Sequence, residues 1–355
     1  MTATVLDSPL VAPLYHKWQA LLAEEPHLRA RDAAERLGVS EGELIASRVG
    51  VDTVRLNPEW KELLPAVEQL GYVMALTRND DCVHERKGIY LKPNIAANGQ
   101  MGLVVSADID LRFFLSGWKS VFAVTQETAR GTQRSLQMFD AQGVAVHKIF
   151  LTDKSELAQW QPLIERFRAA EQSPELEVVA KPAAEPARPD SEIDVAAFRQ
   201  DWSELKDTHH FFAMLKRHGV QRTQGLRLAG SQWAEELAAD ALPGLLQQAS
   251  DNEQNIMIFV GSDHCVQIHT GQIRNLKWMG DWFNVLDPEF NLHLKAHQIK
   301  SLWRVRKPGD NGVVTSLEAY DANGKIILQV FGARKPGQPE CEQWRALADS
   351  SPAQA

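Results

Sequence analysis

Leu14, Trp18, Leu21 and Leu22 fall on one face of a 3.6-residue period, so the spacing predicts a helix over 14–25. Phe198, Trp202 and Leu205 repeat that pattern and predict a second helix. Elsewhere the period shortens. The runs 256–260 (IMIFV) and 264–268 (HCVQI) read as short strands. FDAQGVAV at 139–146 and YDANGKIIL at 320–328 each set an Asp-x-x-Gly turn between apolar runs, the pattern of a hairpin. Closing helices are expected over 154–171 and 340–349. Helices in blocks and strands joined by short turns predict an α+β protein with antiparallel sheets.

The chain also aligns with itself. Residues 108–150 match 289–331 without a gap, at an offset of 181. Identical pairs include Leu111/Leu292, Lys119/Lys300, Ser120/Ser301, Asp140/Asp321, Gly143/Gly324 and Phe150/Phe331. Gly38-Val39 matches Gly219-Val220, Cys82-Val83 matches Cys265-Val266, and Trp18 matches Trp202. Between the copies stand Pro174, Pro182, Pro186 and Pro189 among Ala and Glu, the composition of a stiff extended linker. The expected organisation is an N-terminal repeat over 1–173, a linker over 174–192 and a C-terminal repeat over 193–355.

Charge narrows the partners. The 355 residues carry 38 Lys+Arg against 46 Asp+Glu, a net −8, so no global field attracts nucleic acid or anionic membranes. An anionic ligand needs a local cationic pocket. Cys82, Cys265 and Cys341 are too few and too scattered for a disulfide framework or a structural zinc site. The N-terminus has no basic region, carries Asp7 and is broken by Pro9 and Pro13, unlike a signal peptide. No apolar run reaches the roughly 18 residues of a membrane span. These features predict a cytoplasmic protein without membrane insertion.

Asymmetry between the copies locates candidate chemistry. Asp207-Thr208-His209-His210 stands where the first copy has Pro26-His27-Leu28-Arg29. A neutral imidazole at the start of a helix is a good iron ligand, and the alternative is one histidine packing the helix while the other is solvated. The second copy adds Phe259, Trp278, Met279, Trp282, Phe283, Trp303 and Phe331, with Lys277, Arg304, Arg306, Lys307, Arg334 and Lys335. A flat apolar ligand with anionic ends, such as a porphyrin with two propionates, needs both kinds of group. The alternative is a tryptophan core under a solvated cationic face. Two rival readings stand beside this one. Ala33-Ala34 through Leu44 has helix-turn-helix spacing for DNA, although the repeat puts a similar unit in the second copy. His264, Cys265 and His269 suggest a metal site, although strand alternation turns His264 away from the other two.

The stretches THHFFAMLKRHG, NLKWMGDWFNVLDPEFNLHL, SLWRVRKPGDNGVVTSLEAYDANG and FGARKPGQPE resemble the HemS/ChuS/HmuS family of cytoplasmic haem-utilisation proteins over nearly the whole chain. The resemblance implies two similar halves, each a large antiparallel sheet flanked by helices, with one haem in the C-terminal half. It places the axial ligand on His209, with His210 as an alternative, and the distal arginine on Arg112, the one candidate for a catalytic role. It adds Phe259, Lys307, Gln329 and Arg334 to the pocket, with Lys307 and Arg334 as candidate propionate partners. Two departures stand out. Phe331 replaces a tyrosine of degrading members, and position 212 is Phe where some trafficking members carry a further histidine. The expected function is a haem carrier, supplied by a haem importer and passing haem to a haem oxygenase, as monomer or homodimer. The alternatives are an enzyme that opens the porphyrin itself and a haem-responsive DNA-binding regulator.

Overall fold

The computed structural model describes residues 12–129, 131–183, 185–334 and 337–354, so the Asp7–Pro9 region and Lys335 lie outside the described residues. Two compact units emerge. The first runs to Arg78 and includes Glu85–Pro182 and Ser262–Gln267; the second holds Asn79–His84, Ala183–Gly261 and the chain from Ile268.

In the N-terminal copy α1 (Pro13–Glu24), α2 (Ala30–Leu37) and α3 (Glu41–Ala46) lead into β1 (Thr53–Leu56) and α4 (Trp60–Ala66). Strands β2 (Gly71–Arg78), β3 (Cys82–Ile89), β4 (Asn94–Ile95), β5 (Met101–Val105) and β6 (Asp110–Phe114) follow. Then come β7 (Ser120–Thr128), β8 (Gly131–Phe139), β9 (Ala145–Ser155) and α5 (Trp160–Phe167). The C-terminal copy repeats the order with α6 (Val195–Ser203), α7 (Phe211–His218), α8 (Arg222–Ala229), β10 (Ala234–Leu237) and α9 (Ala241–Asp251). Its strands are β11 (Ile256–Ser262), β12 (Cys265–Gly271), β13 (Leu276–Met279), β14 (Trp282–Leu286) and β15 (Phe290–Lys295). β16 (Ser301–Lys307), β17 (Val314–Tyr320), β18 (Ile326–Gly332) and α10 (Glu342–Asp349) complete it. Strand order runs β1-β7-β8-β9-β2-β3 in one copy and β10-β16-β17-β18-β11-β12 in the other. Each copy is therefore a large antiparallel sheet flanked by helices, the duplicated α+β fold that the sequence predicts.

The turns show why the repeat is legible. Asp140 Oδ1 accepts from the backbone N–H of Gln142 and Val144, both at 2.9 Å, and Gly143 takes φ +72°. Asp321 does the same for Asn323 and Lys325 at 2.8 Å, with Gly324 at φ +72°. An aspartate that bridges the turn and a glycine in the left-handed region fix a hairpin wherever they recur.

The structure adds detail to three readings. The first closing helix begins at Trp160 rather than 154, because β9 stays paired to β2 as far as Ser155 opposite Gly71. Within the predicted linker, Leu176 packs against the core under α1–α3 and Val179 N–H donates to Ala141 O at 2.9 Å, so this stretch is laid onto the first copy. The helix-turn-helix exists, but as scaffold. α2, a left-handed Gly38 and α3 recur as α7, a left-handed Gly219 and α8. The first turn of α3 faces inward: Glu41 is buried against Lys148 and Arg78, and Gly42 N–H donates to Gly143 O at 2.8 Å. A recognition helix needs that end for base edges.

The first unit also buries a polar relay. Gln267 Nε2 donates to Ala75 O at 2.9 Å, which leaves its Oε1 to accept from Thr77 Oγ1 at 2.8 Å. Thr77 Oγ1 must then accept from His147 Nδ1 at 2.8 Å, so His147 Nε2 accepts from the Tyr90 hydroxyl. Burial holds the His147 imidazole down at about 3. The unfolded chain takes up a proton near 6.5 that the folded chain refuses, so this group's stability is complete above that pH and falls as pH drops towards 3. The expected slope is about 1.4 kcal/mol per pH unit. Urea unfolding at pH 7, 6 and 5 measures it, and His147→Leu, the residue type of the equivalent Leu328, should flatten the slope.

The His264–His269 segment forms no metal cage. Cys265 is fully buried, and burial pushes its thiol up to about 12. His269 stacks on Phe290 with ring centroids 3.8 Å apart. Among the described residues no cluster of His, Cys, Asp or Glu is placed to hold a metal ion.

Candidate functional site

Both faces of the C-terminal sheet are covered, but one only in part. Ile256, Ile258, Val260, Leu317, Ala319, Leu328 and Val330 point to the core beneath α9 and α10. On the other face Trp303, Val305 and Tyr320 pack under α6, α7 and α8. Cross-strand register carries that second face onward: Glu318 pairs with Gln329, Gln329 with Phe259, and Phe331 with Met257. Gln329, Phe331, Met257 and Phe259 are all half-buried, and the Phe259 and Phe331 rings meet at 4.9 Å. The result is an aromatic shelf beside the helical cover.

The histidines are presented by the start of that cover. Phe211, the first residue of α7, is buried with its ring 4.7 Å from Trp202, under Lys307 Nζ at 4.6 Å and Arg222 at 5.1 Å. Thr208–His210 form a 3₁₀ turn directly before this anchor, capped by Asp207. His209 Nδ1 lies 2.6 Å from Asp207 Oδ1, and its side chain is 88% exposed. His210 and Phe212 are exposed too, Phe212 at 72%. Hydrogen bonds from the His209 backbone and ring hold the Asp207 carboxyl below its usual range.

The predicted cations divide into structural and available ones. Lys307 is 4% exposed and its Nζ donates to Glu318 Oε1 at 2.6 Å. Arg222 meets the other carboxylate oxygen through Nη2 at 2.8 Å and Nε at 3.1 Å, and Ser316 and Tyr320 donate hydroxyls to the same group. Burial alone would raise Glu318, but Arg222 and Lys307 outweigh it and hold the carboxyl well below its usual range. Lys307 is thus engaged by a buried carboxylate. Arg304 and Arg306 are likewise tied to Glu235, at 2.9 and 2.6 Å. Arg334, two residues beyond β18 and half-buried, has no ion pair among the described residues. Of the predicted tryptophans Trp303 is core, whereas Trp278 is 54% exposed.

Arg112 belongs to the first unit. Its guanidinium bonds to Asp110 and to Leu111 O at 3.0 Å, on the outer face of β5 and β6. Register sets Leu103 opposite Arg112, Met101 opposite Phe114 and Val105 opposite Asp110. Met101, Leu103, Val105 and Phe114 are all exposed, 36 to 58%. This apolar surface round a cation escaped the sequence reading. Its available signal was MGLVV, a strand that is apolar on both faces. In the second copy the corresponding pair is His293 and Asn284, His293 Nδ1 lying 2.6 Å from Asn284 Oδ1.

The site's donor chemistry fits haem: an exposed imidazole with one nitrogen already oriented precedes α7, and the sheet face that α7 covers in part carries an aromatic shelf. Fold and site together define a tandem-duplicated α+β protein that presents an exposed pair of histidines from its C-terminal copy. The chain belongs to the family described as haemin-degrading HemS.ChuX domain, whose model matches residues 38–167 and 219–350. Its relatives include the hemin transport protein HmuS of Yersinia pestis, 40% identical over 337 residues, covering 94% of this chain and 96% of HmuS. The structure of holo-PhuS, a heme-binding protein from Pseudomonas aeruginosa, matches with a TM-score of 0.95 at 61% identity, covering 96% of this chain and 99% of that one. The heme degrading enzyme ChuS of Escherichia coli O157:H7 matches at 0.88 and 36%, covering 95% and 98%. No helix among the described residues is long and apolar enough to cross a membrane.

Proposed function

We propose that this chain is a haem carrier that binds imported haem through His209 and passes it to a haem oxygenase. The carrying observation is the shelf: Met257, Phe259, Gln329 and Phe331 offer apolar contact and one neutral amide, with no hydroxyl or ionisable group to steer chemistry on bound oxygen. Such a surface holds a macrocycle and leaves its bonds alone. Higher identity to the heme-binding PhuS, 61%, than to the heme degrading ChuS, 36%, supports the same reading. Arg334 is the propionate candidate, Arg112 enters as the second-face cation on the resemblance alone, and His210, beside His209 in the same turn, is the alternative ligand.

The test gives the haem complex a reductant and oxygen in the presence of catalase. A carrier keeps its Soret band, yields no linear tetrapyrrole, and loses haem to an added haem oxygenase. Stoichiometric loss of the band with a tetrapyrrole product would establish the degrading enzyme instead.

A further inference from the structure

We propose that Asp207 is the positioning residue of the haem ligand: it fixes which histidine coordinates, through which nitrogen, and how strongly that nitrogen donates. The inference rests on the reading of His209 as the axial ligand. Asp207 Oδ1 accepts twice from one residue, from the His209 backbone N–H at 2.9 Å and from its ring Nδ1 at 2.6 Å. A carboxylate only accepts, so the Nδ1 of His209 carries the proton and Nε2 carries the lone pair. Both bonds run to the same oxygen, which restrains the ring's side-chain torsions as well as its tautomer. His210, one residue on, makes no such ring bond among the described residues; its backbone N–H donates to Asp207 O at 3.0 Å.

A carboxylate on the far nitrogen raises the basicity of a ligating imidazole and stabilises the higher charge of ferric iron. In the free protein the pair is exposed, His209 at 88% and Asp207 at 51%, so water weakens the bond. A flat ligand lying over the imidazole would exclude that water and strengthen it. The first copy corroborates the assignment, since Pro26 occupies the position of Asp207 and Leu28 that of His209. The ligand and its orienting group are absent together.

Three variants separate this role from simple capping of the turn. Asp207→Asn keeps an acceptor for the backbone but no charge, Asp207→Ser keeps the cap but cannot reach the ring, and Asp207→Ala removes both. Resonance Raman of the ferrous complex reads the iron–histidine stretch, spectroelectrochemistry reads the midpoint potential, and haemin titration reads ferric affinity. The expected result is a lower stretching frequency and a more positive potential in all three, with ferric affinity down about tenfold in Asp207→Ala. Adding His210→Ala should leave the stretch unchanged beside Asp207 and shift it in the Asp207→Ala background, where His210 competes. A frequency and potential equal to wild type in both Asp207→Asn and Asp207→Ser would overturn the inference. If instead His209→Ala itself leaves both the spectrum and the haem affinity unaltered, the ligand assignment fails, a separate outcome.

Discussion

Replacing His209 and His210 together by alanine is expected to lower ferric haem affinity about 100-fold, or about 2.8 kcal/mol. The double variant removes the coordinate bond and leaves only apolar contact with the shelf and charge pairing at the ring's edge. His209→Ala alone should lose at least about tenfold, because His210 stands in the same 3₁₀ turn. Successive residues of such a turn point about 120° apart, so His210 can ligate only after the turn rewinds. Neither change should disturb folding, since both side chains are exposed and belong to no core cluster. Titration with haemin, followed at the Soret band, gives affinity and ligation state together. Added imidazole should restore the histidine-type spectrum in the double variant, as a small base entering the vacated position. An unchanged spectrum and affinity in the double variant would remove the iron from this turn.

Different parts of the molecule were legible for different physical reasons. Gly38, Gly219, Gly143 and Gly324 sit at positive φ, and Asp140 and Asp321 bridge the same turn in each copy, so backbone geometry wrote itself into residue identity. The candidate ligand histidine was visible as a break in that symmetry, His209 against Leu28. What sequence could not assign was partnership. Lys307, Arg304 and Arg306 read as available cations because nothing local reveals their acceptors: Glu318 is 11 residues from Lys307, and Glu235 is 69 from Arg304. The apolar face round Arg112 was missed for a related reason. Whether an apolar strand position is core or surface depends on what lies over it, and pattern alone leaves that open. Asp207 lay one step from being read, since an Asp two residues before a candidate ligand is both a cap and a ring acceptor.

Glu318→Gln is expected to destabilise the C-terminal unit by about 3–5 kcal/mol, lowering its melting temperature by roughly 10 °C. The reason is a charge count in a closed space. Glu318 is fully buried and faces two cations, Arg222 and Lys307, so the cluster already carries a surplus positive charge. Removing the carboxylate's charge leaves two desolvated cations against each other. Lys307→Met is the control: Arg222 still reaches Glu318 through two nitrogens, the cluster becomes neutral, and a thioether chain fills the space over Phe211. Its cost should stay near about 1 kcal/mol. The pH dependence carries a sign. Because the folded carboxyl is held below its ordinary value of 4.5, its stabilisation is present above that pH and is lost only as pH falls through the depressed folded value. The gap between wild type and Glu318→Gln should therefore stay constant from pH 8 to about 5 and close in stronger acid. Calorimetry across that range decides it, and equal losses in Glu318→Gln and Lys307→Met would show that the pair acts by packing rather than by charge. The cluster also anchors Phe211, so haem affinity should weaken in Glu318→Gln well below its melting temperature, as the turn that presents His209 loses its seat on the sheet.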